Sequence, residues 1–247
     1  MNISGNTILI TGGTSGIGLA LAEKFVQEGN TVIITGRRIN RLDEIRHRIP
    51  EIIIKESDVN DDLQRVQLLE WVSEYHPDLN ILINNAGVQL ITDFNQPLDL
   101  ARVRLETETN FIAPLHLSSL FIPILTNKPN AAIINISSGL AFTPIALMAV
   151  YCATKAAIHS LSLSLRFQLK HTGIKVFEIA PPSVDTELGH DRRQDKSESH
   201  GGIPVDVFVE GALKAIANDE YEAAIGQAEG LRLKREQLFE QLNQGFR

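Results

Sequence analysis

Tyr151 and Lys155 stand four residues apart in a long stretch of helical apolar spacing, residues 149–171. On a helix that spacing stacks two side chains on one face, so a phenol and an ammonium would share one site. The pair suits one kind of chemistry. Reducing a carbonyl needs a proton donor beside the nascent alkoxide, and oxidising an alcohol needs the reverse. A free tyrosine, with a pKa of about 10, is a poor base at neutral pH. A nearby ammonium favours the phenolate and lowers that value. Ser138 ends an apolar run in Ile136-Ser-Ser-Gly139. Strand C-termini are where ligands sit in an open parallel sheet, so its hydroxyl could hold a substrate oxygen while Tyr151 exchanges the proton. Asn110, in Glu108-Thr-Asn-Phe111, either makes a structural hydrogen bond or fixes a water that relays protons to Lys155.

A second constellation lies near the N-terminus. Residues 11–18 read Thr-Gly-Gly-Thr-Ser-Gly-Ile-Gly where an apolar run passes into a helical pattern. Glycine lets such a turn reverse tightly and lets a pyrophosphate approach bare backbone, and the helix start supplies N–H groups and a favourable dipole. Outside that strand-turn-helix context the same glycines would mark an ordinary loop. Gly12, Thr14, Ser15, Gly16, Ile17 and Gly18 are therefore expected to surround the phosphates of a dinucleotide. The next strand ends Thr35-Gly36-Arg37-Arg38 with no acid at its tip. A carboxylate there would bind the ribose 2′-hydroxyl of NAD, whereas arginine forks onto a 2′-phosphate. Arg37 thus points to NADP(H) rather than NAD(H).

These residues need a frame that brings them together. Apolar runs at residues 7–10, 31–35, 52–54, 81–83, 132–136 and 175–179 alternate with helical patterns, notably 62–75, 98–125 and 149–171. Runs that are apolar throughout indicate a sheet covered on both faces, and strand-helix alternation indicates right-handed crossovers. The expected fold is a Rossmann-type doubly wound parallel sheet, three layers of α/β/α in a single domain over residues 1–247. Ile17, Leu21 and Phe25 line one face of the first helix, which Gly29 stops. Residues 187–204 are polar and charged, and read as a substrate lid. Helical spacing returns over residues 229–244.

Taken together, the residue 11–18 turn, Asn84-Asn-Ala-Gly87, Asn110, Ser138 and Tyr151-xxx-Lys155 resemble the short-chain dehydrogenases/reductases. Order and spacing agree, including a serine thirteen residues before the tyrosine. The resemblance implies that Tyr151 is the general acid/base and that Lys155 assists it and holds the nicotinamide ribose. It implies that Ser138 orients the substrate and that Asn110 completes a proton relay. Asp58 and Val59 would contact adenine, Asn85, Ala86 and Gly87 would flank the adenosine side, and Pro181, Val184 and Thr186 would meet the nicotinamide end. Here the family usually carries Pro-Gly; Pro181-Pro182 instead predicts a stiffer loop, because proline fixes φ and has no N–H. Residues 181–186, 138–142 and 151–157 are similar to the DltE-type branch, oxidoreductases associated with teichoic-acid D-alanylation gene clusters. The family also implies a homodimer or homotetramer, and the small residues Ala153, Ala156, Ala157 and Ser160 would permit close helix packing.

Composition narrows the partners. A net charge of −7 gives no overall footprint for nucleic acid or anionic lipid. No apolar run approaches the roughly 18 residues of a membrane span. The one cysteine, Cys152, excludes an intrachain disulfide, and the sequence reads as cytoplasmic. Cys152 lies about 100° around the helix from Tyr151 and is expected in the core. Trp71 is also expected there. The seven histidines show no metal-ligand spacing. The function expected is NADP(H)-dependent interconversion of a small-molecule carbonyl and a secondary alcohol. Two alternatives share the cofactor site: a nucleotide sensor without chemistry, which would have no need of Tyr151 and Lys155, and an epimerase or dehydratase relative.

Overall fold

The computed structural model describes residues 1–188 and 201–245. Seven parallel strands form one sheet in the order β3-β2-β1-β4-β5-β6-β7. They are β1 (Thr7–Ile10), β2 (Thr31–Gly36), β3 (Ile52–Glu56), β4 (Ile81–Asn84), β5 (Ala132–Ile136), β6 (Lys175–Ala180) and β7 (Glu222–Ala224). Successive residues of β1 point to opposite faces, so Ile8 and Ile10 enter one apolar core and Leu9 the other. The first core packs α1 (Gly16–Gln27), α2 (Ile39–Arg48) and α7 (Val205–Ala217) through Phe25, Leu42 and Phe208. The second packs α3 (Asp62–Tyr75) and α5 (Ala113–Leu125) through Val72 and Phe121. This is the doubly wound architecture that continuous apolar strands require.

The chain order reverses between β1 and β4, which pair at Ile8–Ile81 through Ile10–Ile83. Loops leaving these two strands in opposite directions open a crevice above their carboxyl ends. The site described below lies there.

Several elements depart from the expected pattern. The stretch at 98–125 is divided into α4 (Leu100–Thr107), a π turn at Glu108–Ile112, and α5. β7 is only three residues long and carries a glutamate, so it gave no apolar run. The tail forms α8 (Gln227–Lys234), a 3-10 turn at Arg235–Leu238 and α9 (Phe239–Asn243). It breaks at Arg235, whose φ of 49° is a left-handed conformation a helix cannot continue. Trp71 is half-buried rather than in the core, with the Lys55 Nζ 5.2 Å from its ring. The segment Ala146–Gln168, which contains α6 (Ala149–Gln168), is long and apolar enough to cross a membrane by composition. In this fold its apolar and charged residues have specific partners: Ile158 lies in the interior, Lys155 bonds to β5 and His159 to β6. Most of the expected lid, residues 189–200, lies outside the described residues.

Candidate active site

The crevice is a cleft of about 460 Å³. Gly12, Thr14, Ser15, Gly16, Ile17, Gly18, Arg37, Val59, Asn85, Ala86, Gly87, Tyr151, Lys155, Pro181 and Thr186 line it. Ser138, Asn110, Asp58 and Val184 do not.

At one end, the N-terminus of α1 opens onto the cleft. Asp61 and Asp99 cap α3 and α4 by accepting from two backbone N–H groups each. Ser15, at the same position of α1, makes no side-chain cap, and the first turn holds no acid. The N–H groups of this helix therefore retain their positive potential for an external anion. Two glycines keep the turn tight. A Cβ on Gly18 would lie 2.4 Å from the Gly12 carbonyl oxygen, and one on Gly12 would lie 2.8 Å from the Ala86 Cα. The Asn85 side chain fixes the turn from below, donating to the Thr11 and Gly12 carbonyls at 2.9 and 3.1 Å. Asp58 is turned onto its own loop, where its Oδ1 accepts from the Asn60 N–H at 3.0 Å.

At the other end, α6 presents Tyr151 and Lys155 at the cleft floor, both about 95% buried. The Lys155 Nζ donates to the Ile136 carbonyl at 2.9 Å and lies 5.7 Å from the Tyr151 ring centre. Burial brings its pKa down to about 8, while the carboxylates of Glu178 and Glu106 pull it back up. Asn110 sits on the π turn, a feature often found at functional sites. Its amide spans the Val88 backbone, accepting from its N–H at 2.9 Å and donating to its carbonyl at 2.8 Å, and also reaches the Thr154 hydroxyl at 3.2 Å. Both ends of the amide are thus engaged, and the 85–88 loop is locked to α4, α5 and α6. The Ser138 Oγ accepts from the Leu140 N–H at 3.1 Å. Val184 is buried in the first core, bridged to Ile203. The Pro181 carbonyl accepts from the Gly139 N–H at 2.8 Å, tying the Pro-Pro loop to the loop of Ser138. Cys152 is buried with its sulfur against Ile145, and burial pushes its thiol pKa up.

Several lining residues escaped sequence reading. Arg38 reaches the Thr14 hydroxyl at 3.4 Å and Glu187 at 3.9 Å, bracketing the cleft mouth. Gln89 and Leu90 also line the cleft, and the Leu90 N–H donates to the buried Glu106 at 2.8 Å. Arg38 was visible as the neighbour of Arg37; Glu106 and Leu90 carry no local signal.

A sequence profile described as short chain dehydrogenase matches residues 6–197. The chain belongs to the short-chain dehydrogenase family. An uncharacterised oxidoreductase of Bacillus subtilis, DltE, is 45% identical over 98% of both chains, in keeping with the expected branch. A serine 3-dehydrogenase of Rhizobium radiobacter is 35% identical, covering 74% of this chain and 73% of its own length. The crystal structure of a family member from Burkholderia cenocepacia in complex with NADP superimposes with a TM-score of 0.82 at 25% identity, covering 95% and 94% of the two chains. The family membership and the fold make this protein an oxidoreductase.

Proposed function

We propose that the protein interconverts a carbonyl and a secondary alcohol with NADP(H), using Tyr151 as general acid/base. One observation carries this reading: a single cleft runs from the uncapped N-terminus of α1, past Arg37 and Arg38, to Tyr151 and Lys155. Uncapped N–H groups at one end suit the pyrophosphate, and the two guanidinium groups suit a 2′-phosphate. The nicotinamide, when bound, supplies or accepts the hydride.

The remaining steps belong to this chain's own residues. In reduction Tyr151 donates its phenolic proton to the developing alkoxide, and in oxidation it takes the hydroxyl proton back. The Lys155 ammonium favours the phenolate by its charge. Ser138 already accepts a bond from Leu140, which leaves its own O–H to donate to the substrate oxygen. Asn110 holds the loop that carries Gly87 and Val88 against the cleft. Exposed Ala153 and Ser160 on α6, with exposed Leu163 and Phe167 further along it, supply the helix surface on which copies pair. The name of the serine dehydrogenase relative makes small polar hydroxy compounds and their carbonyl counterparts the first substrates to assay.

Tyr151→Phe tests the reading. Turnover of NADPH with a carbonyl panel should fall about a hundredfold or more, while NADPH binding by fluorescence stays within about twofold. Wild-type turnover in this variant would remove Tyr151 from its role.

A further inference from the structure

Behind the proposed acid/base pair, the strand register sets one polar residue from each of four adjacent strands in a single row. Asn84 pairs with Asn135, Asn135 with Glu178, and Glu178 with Glu222. Register partners in a sheet share a face, so the row lies under the helices that cover this face. Those helices bind it residue by residue. Asn84 donates to the Ser118 Oγ at 3.2 Å and to the Asn135 Oδ1 at 2.9 Å, and Asn135 donates to the Ser162 Oγ at 2.9 Å. The Glu178 Oε2 meets the His159 Nδ1 at 2.7 Å, and the Glu222 Oε1 accepts from the Arg232 Nε at 2.5 Å.

Glu178 is the unusual member. It is fully buried, and its Oε1 has no hydrogen-bond partner among the described residues. A buried carboxylate is costly unless cations stand near it. Two groups on α6 do. Tyr151, Lys155 and His159 follow one another at intervals of four, so His159 lies one turn beyond Lys155 on the same face. The Lys155 Nζ is bound to the carbonyl of Ile136, which follows Asn135 in the row and pairs with Ile179, the residue after Glu178.

We infer that Glu178, hydrogen-bonded to His159, is a positioning residue that supplies the buried negative charge opposite the Lys155 ammonium. The inference rests on the reading of Lys155 as the partner of Tyr151. Lys155 is faced by Tyr151 on its own helix, by Glu178 from β6 and by Glu106 from α4. His159 is faced by Glu178, by Glu222 from β7, by Arg235 after α8, and by the Phe142 ring edge-on at 4.9 Å. Desolvation drives Lys155 toward the neutral amine, and Glu178 is the first of the two carboxylates that oppose it. Without that charge the ammonium would be lost at lower pH, and with it the field that favours the Tyr151 phenolate. His159, Glu178 and Glu222 also present ligand atoms within 4.8 Å of one another. Arg232 already occupies Glu222, and Arg235 faces His159, so the cluster is balanced without a metal ion.

The charge state of Lys155 can be read without a substrate. The full-length protein is labelled with ¹³C at lysine Cε and titrated by NMR, and the Lys155 signal is assigned by its absence in Lys155→Met. Glu178→Gln should lower the Lys155 midpoint by about one pH unit or more, a roughly tenfold loss of the ammonium at fixed pH above it. Glu178→Asp, which keeps the charge, should recover most of the shift. If Glu178→Gln does not fold, Glu178→Met with His159→Leu replaces the pair by apolar side chains and should lower the midpoint likewise. An unmoved midpoint in a folded variant overturns the inference. So does stoichiometric Zn²⁺ binding by the wild type that Glu178→Gln abolishes. A wild-type protein that turns over no carbonyl would instead sink the functional reading and leave this titration unaffected.

Discussion

Arg37 is the residue on which the proposed preference for NADP(H) is most directly tested. It follows Gly36, the last residue of β2, at the strand tip where the proposed cofactor would place its adenosine ribose, and Glu56 at the end of adjacent β3 is not among the cleft residues. A charge-assisted contact to a phosphate contributes about 1.5–3 kcal/mol. Arg37→Asp should therefore weaken NADPH binding by about ten- to a hundredfold and move the activity ratio toward NADH, measured as kcat/KM with each cofactor. An unchanged ratio would pass the role to Arg38. Tyr151 and Lys155 were legible because both sit on one helix, where spacing alone sets relative position. Glu106 and Glu178 were not legible. Glu178 is a lone carboxylate in an apolar strand and Glu106 stands in Glu106-Thr-Glu108 with nothing to mark it out, and only packing carries either to within range of Lys155.

At the scale of elements, the turn from β1 into α1 joins two functions. It closes the strand-to-helix reversal, and it leaves the first turn of α1 without a side-chain cap from Ser15 where it meets the cleft. Gly18→Ala should disturb both, since the new Cβ meets the Gly12 carbonyl at 2.4 Å and the Asn85 amide at the same distance. Overpacking of this kind costs about 1–3 kcal/mol, and NADPH affinity should fall together with the denaturant midpoint. Gly230→Ala is the contrasting variant, because its Cβ would meet nothing within 4 Å in the middle of α8. It should stabilise by a few tenths of a kcal/mol to about 1 kcal/mol and leave binding unchanged. Period and turn signals foretold six strands and the helices between them. They did not foretell the π turn at Asn110: apolar spacing ran on through Glu108–Ile112, and the altered hydrogen bonding follows from docking against α6 and the 85–88 loop.

Over the whole molecule, the end of the chain returns to the centre. The Thr143 hydroxyl shares its one proton between the carbonyls of Leu231 and Arg235, 3.1 and 2.9 Å away, and Asn243 bonds to Ala146 and Pro144. A Cβ on Gly139 would strike Leu231 at 2.9 Å, so α8 rests directly on the loop between Ser138 and Tyr151. Truncation after Gly226 should leave NADPH binding largely intact, because the cleft wall is built before that point. It should reduce turnover by about tenfold or more, as the 139–148 segment loses the bonds that hold it. Parallel assays of binding and turnover would check this, and full turnover in the truncated chain would refute it. The sequence by itself determined six strands, the glycine turn between β1 and α1 and the shared helix of Tyr151 and Lys155, since each depends on residues near one another along the chain. Tertiary structure alone decided that the tail covers the Ser138 loop and that Asn84, Asn135, Glu178 and Glu222 fall in one row. Those juxtapositions depend on strand register and on contacts between residues tens of positions apart, which no local pattern records.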